Sequence, residues 1–147
     1  MKAYADSSFI VALYLQQQCS PKAIAFMERH GQALPFTPWH RLEVRNAIRL
    51  AAWQKVIDAQ QGQTQLKQLD TDLKEQTLLV HVPIDWTDVL REAEKLGAAY
   101  NATIGCRSAD LFHVAAAGEL GCDTFLTFDD KQAAMAKTAG LNVQTRP

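Results

Sequence analysis

The stretch KAYADSSFIVALYLQQ, residues 2–17, decides the fold, because its pattern changes from strand-like to helix-like around a single acid. Residues 2–6 are predicted to form a short buried strand, and Ser7 or Ser8 offers a hydroxyl cap to a helix through FIVALYLQQ. Asp6 lies at the junction, where an acid among apolar neighbours is costly to desolvate unless something positive compensates it. We therefore expect a buried strand that leads into a helix, with a functional carboxylate between them.

The same alternation of strand and helix patterns continues along the chain. Short apolar runs bounded by turn residues predict four further strands: ALPFT (33–37), TLLVHV (77–82), DTFLTF (123–128) and LNVQT (141–145). Helices are predicted from Pro21 to near Gly31, from Pro38 to Trp53, from Asp58 to about Glu75, over 88–100 with a cap at Asp85 or Thr87, over 109–120 with Ser108 as cap and Gly121 as stop, and over 131–139 up to Gly140. This order indicates an α/β fold with a parallel sheet, in a single domain spanning residues 1–147.

Composition limits the class of protein. The 147 residues are 48% apolar and 21% charged, with a formal net charge of −1, which is typical of a globular protein. Cys19, Cys106 and Cys122 lack the spacing of a metal finger and are expected to be reduced thiols. No segment approaches the roughly 20 consecutive apolar residues of a membrane helix. Asp6 also interrupts the apolar start of the chain, which argues against a signal peptide, so we expect a cytoplasmic protein without membrane association.

Four acidic residues lie at the edges of apolar segments: Asp6, Glu43, Asp110 and Asp129. Ligands of parallel sheets bind at the carboxyl ends of the strands, where Asp6, Asp110 and Asp129 can meet. Glu43 lies about one turn into the helix that follows the second strand. Carboxylates without Cys or His neighbours favour Mg²⁺ or Mn²⁺, and such sites commonly hydrolyse phosphodiesters. A capping role for Asp110 and Asp129 stays open, because the helix dipole alone favours an acid in the first turn.

Four segments together carry a resemblance to a known family. They are YADSSFIVALY, LEVRNAI, RSADLFHVAAA and FLTFDDKQAAMAKTAGLNV, which in this order resemble a PIN domain of the VapC type, the ribonuclease toxin of bacterial toxin–antitoxin pairs. The resemblance covers nearly the whole chain. It implies an α/β/α sandwich with a central, mostly parallel sheet, an acidic pocket for Mg²⁺ or Mn²⁺, and endonucleolytic cleavage of RNA. It also implies a homodimer and an antitoxin protein as inhibitor.

The resemblance also implies roles for individual residues. Asp6 and Asp110 are the implied principal metal ligands, and Glu43 and Asp129 complete the pocket directly or through water. The spacing T-x-D selects Asp129 rather than its neighbour Asp130. Supporting roles fall to the hydroxyl after the first acid, the hydroxyl two residues before the last acid, and the asparagine three residues after the glutamate: Ser7, Thr127 and Asn46.

The chemistry expected of such a site is hydrolysis by a metal-activated water, which leaves 5′-phosphate and 3′-hydroxyl ends. Two other functions remain open. One is a PIN nuclease of RNA processing without a toxin role, and the other is an RNA-binding module whose acids are catalytically silent.

Basic residues near the acids are candidates for holding RNA phosphates. Arg41 and Arg45 lie four residues apart on the helix that carries Glu43, and Arg107 immediately precedes the helix of Asp110. The arginine stripe has two other interpretations, as a solvated helix face or as a surface that pairs with acids of a partner chain. His113 follows Asp110 by three residues, and is either a packed histidine or a donor to a carboxylate.

Overall fold

The structure is a computed structural model that describes residues 1–144. Within these residues strands and helices alternate. The strands are β1 (Ala3–Ala5), β2 (Leu34–Phe36), β3 (Leu79–His81), β4 (Thr124–Leu126) and β5 (Asn142–Gln144). The helices are α1 (Ser7–Tyr14), α2 (Ser20–His30), α3 (Pro38–Trp53), α4 (Ala59–Glu75), α5 (Trp86–Ile104), α6 (Ser108–Glu119) and α7 (Asp130–Thr138).

One compact unit contains residues 1–6 together with the chain from Pro83 onward. Its sheet has the strand order β1-β4-β5, and both strand pairs are parallel. Tyr4 of β1 and Phe125 of β4 are register partners, are fully buried, and stack with ring centroids 5.8 Å apart. Three consecutive alanines of α6 (Ala115–Ala117) are also buried, and their small side chains let the helix approach its neighbours closely. This core holds the carboxyl ends of β1 and β4 at one edge of the sheet.

The second compact unit spans Ser7–Val82. Its two strands, β2 and β3, are parallel, with Leu34 opposite Leu79. Helix α3 packs against α1 and α4. Its start is fixed locally, since Thr37 and His40 form a reciprocal capping box and Pro38 occupies the first turn. The buried side chains of this unit include Phe9, Phe36, Ile48 and Leu69.

These elements confirm the predicted α/β class with parallel strands. The helix from Pro38 to Trp53 has the predicted bounds, whereas each predicted strand is shortened to three residues. Asp85 is the cap of α5, and its carboxylate accepts hydrogen bonds from two backbone N–H groups. Helix α5 continues four residues beyond its predicted end. The predicted single domain over residues 1–147 remains a prediction, and the predicted last strand includes Thr145, which lies outside the described residues.

The predicted cap at Ser108 is wrong. Ser108 is already the first residue of α6, and Arg107 holds the cap position without a side-chain cap hydrogen bond. The reason lies in the preceding turn, where Gly105 ends α5 in the left-handed conformation with φ of 75°. The short connection that follows lets α6 begin one residue earlier than the hydroxyl suggests.

The three cysteines are free thiols, as predicted. Cys106 and Cys122 are buried, and burial raises the pKa of each thiol to about 11. No helix within residues 1–144 is long and apolar enough to cross a membrane.

Candidate functional site

Asp6 sits where the pairing of β1 with β4 ends. Its backbone N–H donates to Leu126 O at 3.0 Å, which extends the ladder one residue past β1. The residue is only 5% exposed, and its Oδ2 lies 3.0 Å from Thr127 Oγ1. The first strand therefore holds a buried carboxylate at the carboxyl edge of its sheet.

Thr127 is the hydrogen-bonding centre of this edge. The residue is fully buried directly after β4. Its Oγ1 accepts from Asp129 N at 3.0 Å and lies within donating distance of Asp6 Oδ2 at 3.0 Å and Gln132 Oε1 at 2.7 Å. A hydroxyl has a single proton, so Asp6 and Gln132 compete for the donation.

Gln132 connects Thr127 to Asp110 and Asp129, the other two predicted site acids of this unit. Asp129 caps α7, because its Oδ1 accepts from Gln132 N at 2.7 Å. The side-chain amide of Gln132 is fully buried, and its Nε2 donates to the backbone O of Asp110 at 3.3 Å. Asp110 lies in the first turn of α6. Asp6, Asp110 and Asp129 are thus connected through two buried polar side chains.

An open cavity of about 500 Å³ lies beside two of these acids. Asp110 and Asp129 line it, together with the cations Arg107 and Lys131. Arg107 Nε is 3.2 Å from Asp110 Oδ2, while 85% of the arginine side chain is exposed. Because an exposed ion pair contributes little to stability, the guanidinium can exchange this carboxylate for another anion at small cost.

Glu43 belongs to the unit Ser7–Val82, where it is half-buried on α3. Its Oε1 accepts a hydrogen bond of 2.8 Å from Ser7 Oγ. Ser7 is the first residue of α1 and directly follows Asp6 in the chain. The predicted supporting hydroxyl is therefore bonded to the predicted fourth acid.

The remaining predicted residues lie on the surface of α3. Arg41 and Asn46 are exposed. Arg45 forms an ion pair of 2.7 Å with Asp70 of α4 in the same chain, and only 16% of its side chain is exposed, so this arginine is not part of a solvated helix face. Substrate contacts by Arg41 and Arg45, and a hydrogen bond from Asn46 to Glu43, remain predictions.

His113 is buried against Tyr4, whose hydroxyl lies 2.8 Å from His113 Nδ1. This contact places the histidine in the core of its unit, in agreement with the interpretation as a packed residue.

The acids of the site offer donor atoms that suit the expected ion. Within residues 1–144, no three His, Cys, Asp or Glu side chains are grouped closely enough to form a ready-made metal cage. Mg²⁺ does not need one, since it keeps several waters and is usually bound through one or two carboxylates plus substrate phosphates. Asp6, Asp110 and Asp129 offer only oxygen donors. The residues present therefore fit Mg²⁺ or Mn²⁺.

Two residues of the site escaped sequence analysis, Gln132 and Lys131. The spacing from Asp129 to Gln132 is that of a capping box, and it repeats the spacing from Asp58 to Gln61 at the start of α4. That signal explains an amide at this helix position, but it does not indicate that the amide points towards Thr127 and Asp110.

Comparisons with known proteins agree with this architecture. The family model described as PIN domain matches residues 3–138. Among solved structures, FitAcB from Neisseria gonorrhoeae gives a TM-score of 0.66 at 16% identity, over 97% of this chain and 96% of that one. VapC20 from Mycobacterium tuberculosis, described as a sarcin-ricin loop cleaving toxin, gives 0.67 at 16% identity over 99% of both chains. VapBC2 from Rickettsia felis, solved bound to a DNA fragment from its promoter, gives 0.61 at 11% identity over 98% of both chains. A comparison with curated protein sequences gives no match.

Proposed function

This chain belongs to the PIN domain family, and on that premise we propose that it is a divalent-metal-dependent endoribonuclease, the toxin of a toxin–antitoxin pair. PIN domains are generally nucleases. The observation that carries the proposal is the buried Asp6 carboxylate, which Thr127 and Gln132 connect to Asp110 and Asp129 beside a cavity. Burying a carboxylate at this edge of the sheet costs desolvation free energy, which an acid without a function would not offset.

In this function Asp6 and Asp110 hold Mg²⁺ or Mn²⁺, and Asp129 and Glu43 complete the pocket directly or through water. When bound, the ion makes water nucleophilic at neutral pH and offsets negative charge developing on the phosphate. The protein supplies orientation. Thr127 restrains the Asp6 carboxylate at 3.0 Å, and Ser7 restrains Glu43 at 2.8 Å, so that neither acid has to be ordered when the substrate arrives.

The cavity cations are suited to the substrate. Arg107 and Lys131 line the same cavity as Asp110 and Asp129, and a backbone phosphate that reaches those acids also comes within range of the two cations. Arg41 and Arg45 are proposed as further phosphate contacts. Direct attack by water predicts cut ends with a 5′-phosphate and a 3′-hydroxyl. An RNA substrate is supported by the likeness to the M. tuberculosis toxin, which is described as cleaving the sarcin-ricin loop.

We further propose a cognate antitoxin as inhibitor, a homodimeric state and a cytoplasmic location, with the chain forming one nuclease domain. The antitoxin is supported by the likeness to VapBC2, a toxin–antitoxin complex that binds promoter DNA. A small open reading frame beside the gene, encoding a protein that co-purifies with this chain and blocks its activity, is the expected partner.

The testing experiment is cleavage of total bacterial RNA by the purified, antitoxin-free protein, with Mg²⁺, with Mn²⁺ and with EDTA. The variants Asp6→Asn, Asp110→Asn, Asp129→Asn and Glu43→Gln are compared with the exposed-acid control Glu75→Gln. We expect metal-dependent cleavage that is lost in the first four variants and kept in the control, with 5′-phosphate ends. A folded protein that cuts no RNA with either ion contradicts the nuclease function and favours a silent RNA-binding module.

A further inference from the structure

We infer that Gln132 is a positioning residue of the proposed metal site, one that fixes how Asp6, Asp110 and Asp129 are presented to the ion. This inference rests on the proposed function and deepens it. Gln132 is fully buried, and its three polar contacts reach three different elements of the site: Thr127 after β4, Asp110 in α6, and Asp129 at the cap of α7.

A second glutamine of the chain, at the same position of another helix, takes part only in helix capping. Gln61 is the third residue of α4, as Gln132 is of α7, and both backbone N–H groups donate to the cap aspartate at 2.7 Å. The Gln61 side chain then turns back and accepts from the N–H of its own cap residue, Asp58, at 2.8 Å. That arrangement is a complete capping box, and it lies in solvent.

In α7 the corresponding backbone donor is already taken. Asp129 N donates to Thr127 Oγ1 at 3.0 Å, so the Gln132 side chain is released from the capping box. Its Oε1 lies 2.7 Å from Thr127 Oγ1, and its Nε2 donates to Asp110 O at 3.3 Å. The same helix-start sequence is thus used for a bridge between functional residues rather than for the cap.

The bridge has two consequences for an ion. The Oε1 of Gln132 competes with Asp6 for the single hydroxyl proton of Thr127, and it is the nearer acceptor, at 2.7 Å against 3.0 Å. The hydrogen bond that Asp6 receives is therefore set in part by Gln132. The contact to Asp110 O holds the first turn of α6 at a fixed distance from α7, which limits where the Asp110 carboxylate can reach. Residues that hold the ligands of a metal through hydrogen bonds typically change metal affinity or activity about 10- to 100-fold when they are removed.

The test is Mn²⁺ affinity by isothermal titration calorimetry, alongside kcat and KM for RNA cleavage. Gln132→Met keeps length and burial but removes both side-chain hydrogen bonds, and Gln61→Met is the matched control that breaks only a capping box. Gln132→Asn, which keeps the amide but shortens it by one methylene, serves if the methionine variant does not fold. We expect the Gln132 variants to bind Mn²⁺ about ten-fold or more weakly, with KM for RNA unchanged and kcat recovered by raising the Mn²⁺ concentration.

Unchanged Mn²⁺ affinity in a folded Gln132 variant would overturn the inference, as would an equal loss in Gln61→Met. The inference would also be overturned if saturating Mn²⁺ did not restore the kcat of the Gln132 variants. These results leave the proposed function standing, provided the unaltered protein binds Mn²⁺ and cuts RNA. An unaltered protein that does neither overturns the proposed function and this inference with it.

Discussion

Thr127 Oγ1 lies 3.0 Å from Asp6 Oδ2, although 121 residues separate them in the chain. The hydroxyl belongs to the first residue after β4, and the carboxylate to the first residue after β1. Because these two strands are paired in parallel register, with Ala5 opposite Leu126, the residues that follow them are forced into contact. The contact therefore results from the register of the sheet, and a substitution of Thr127 tests the site directly.

Thr127→Val should lower both RNA cleavage and stability. Valine keeps the shape but leaves Asp129 N and Gln132 Oε1 without the hydroxyl, at a cost of roughly 1–3 kcal/mol in the free energy of unfolding. Cleavage should fall by about ten-fold or more at temperatures where the variant is folded. Thr138→Val is the control, since that hydroxyl bonds only a backbone carbonyl on the exposed side of α7. Equal cleavage by both variants contradicts the role of Thr127.

Arg107→Ala should change metal binding and substrate binding in opposite directions. The guanidinium lies 3.2 Å from Asp110 Oδ2, so its removal relieves repulsion of a divalent ion and should tighten Mn²⁺ binding several-fold. KM for RNA should rise, because the proposed phosphate contact of Arg107 would be lost.

Lys131→Ala should raise KM and reduce the salt dependence of RNA binding by about one unit of logarithmic slope. Lys137→Ala, on the last turn of the same helix, should leave both quantities unchanged. The slope is measured from RNA affinity at several salt concentrations. A slope in Lys131→Ala that equals that of the unaltered protein contradicts a phosphate contact.

Tyr14→Phe should destabilise the unit Ser7–Val82 without touching catalysis. The Tyr14 hydroxyl donates to the buried Asp72 carboxylate at 2.7 Å, and burial with this hydrogen bond raises the tyrosine pKa. Gln68 and Thr77 donate to the other oxygen of Asp72. Loss of one donor to a buried charge should cost about 1.5–3 kcal/mol by chemical denaturation, whereas the exposed Tyr100→Phe should cost almost nothing. A destabilisation below about 0.5 kcal/mol would mean that the network compensates.

The thiols predict a pH-dependent labelling pattern. Cys106 and Cys122 are buried, with pKa values raised to about 11, whereas Cys19 is partly exposed. A thiol reagent at pH 8 should therefore label Cys19 first and the other two only on unfolding. Because the folded protein holds these two protons more tightly than the unfolded chain, their contribution to stability is complete below pH 9 and declines as the pH rises towards 11. Rapid labelling of all three thiols at pH 8 would contradict the buried placement.

Local chemistry explains which features could be predicted from sequence. The helix from Pro38 to Trp53 follows from a capping threonine and a proline in the first turn, and both signals act within a few residues. The position of Asp6 after a buried strand was equally local. Ser108 is not the cap of α6, because the turn at Gly105, rather than the serine, determines where α6 begins.

Gln132 marks the limit of such reasoning. Its spacing from Asp129 predicts a capping box, and its backbone N–H does complete half of one. The direction of its side chain depends on Thr127, which occupies the N–H that the glutamine would otherwise accept from. That hydrogen bond is local, between residues two apart in the connection from β4 to α7, and no pattern within α7 itself encodes it.

The unit that holds Asp6, Asp110 and Asp129 is built from two separate segments, residues 1–6 and the chain from Pro83 onward, with residues 7–82 between them in sequence. During synthesis on the ribosome, β1 leaves the exit tunnel early but has no partner strand until β4 is made. Thr127 is added 121 residues after Asp6, which at roughly 5–20 residues per second takes on the order of ten seconds. A nascent chain that lacks β4 therefore cannot assemble the three acids, and any activity that depends on them begins only after β4 has been made.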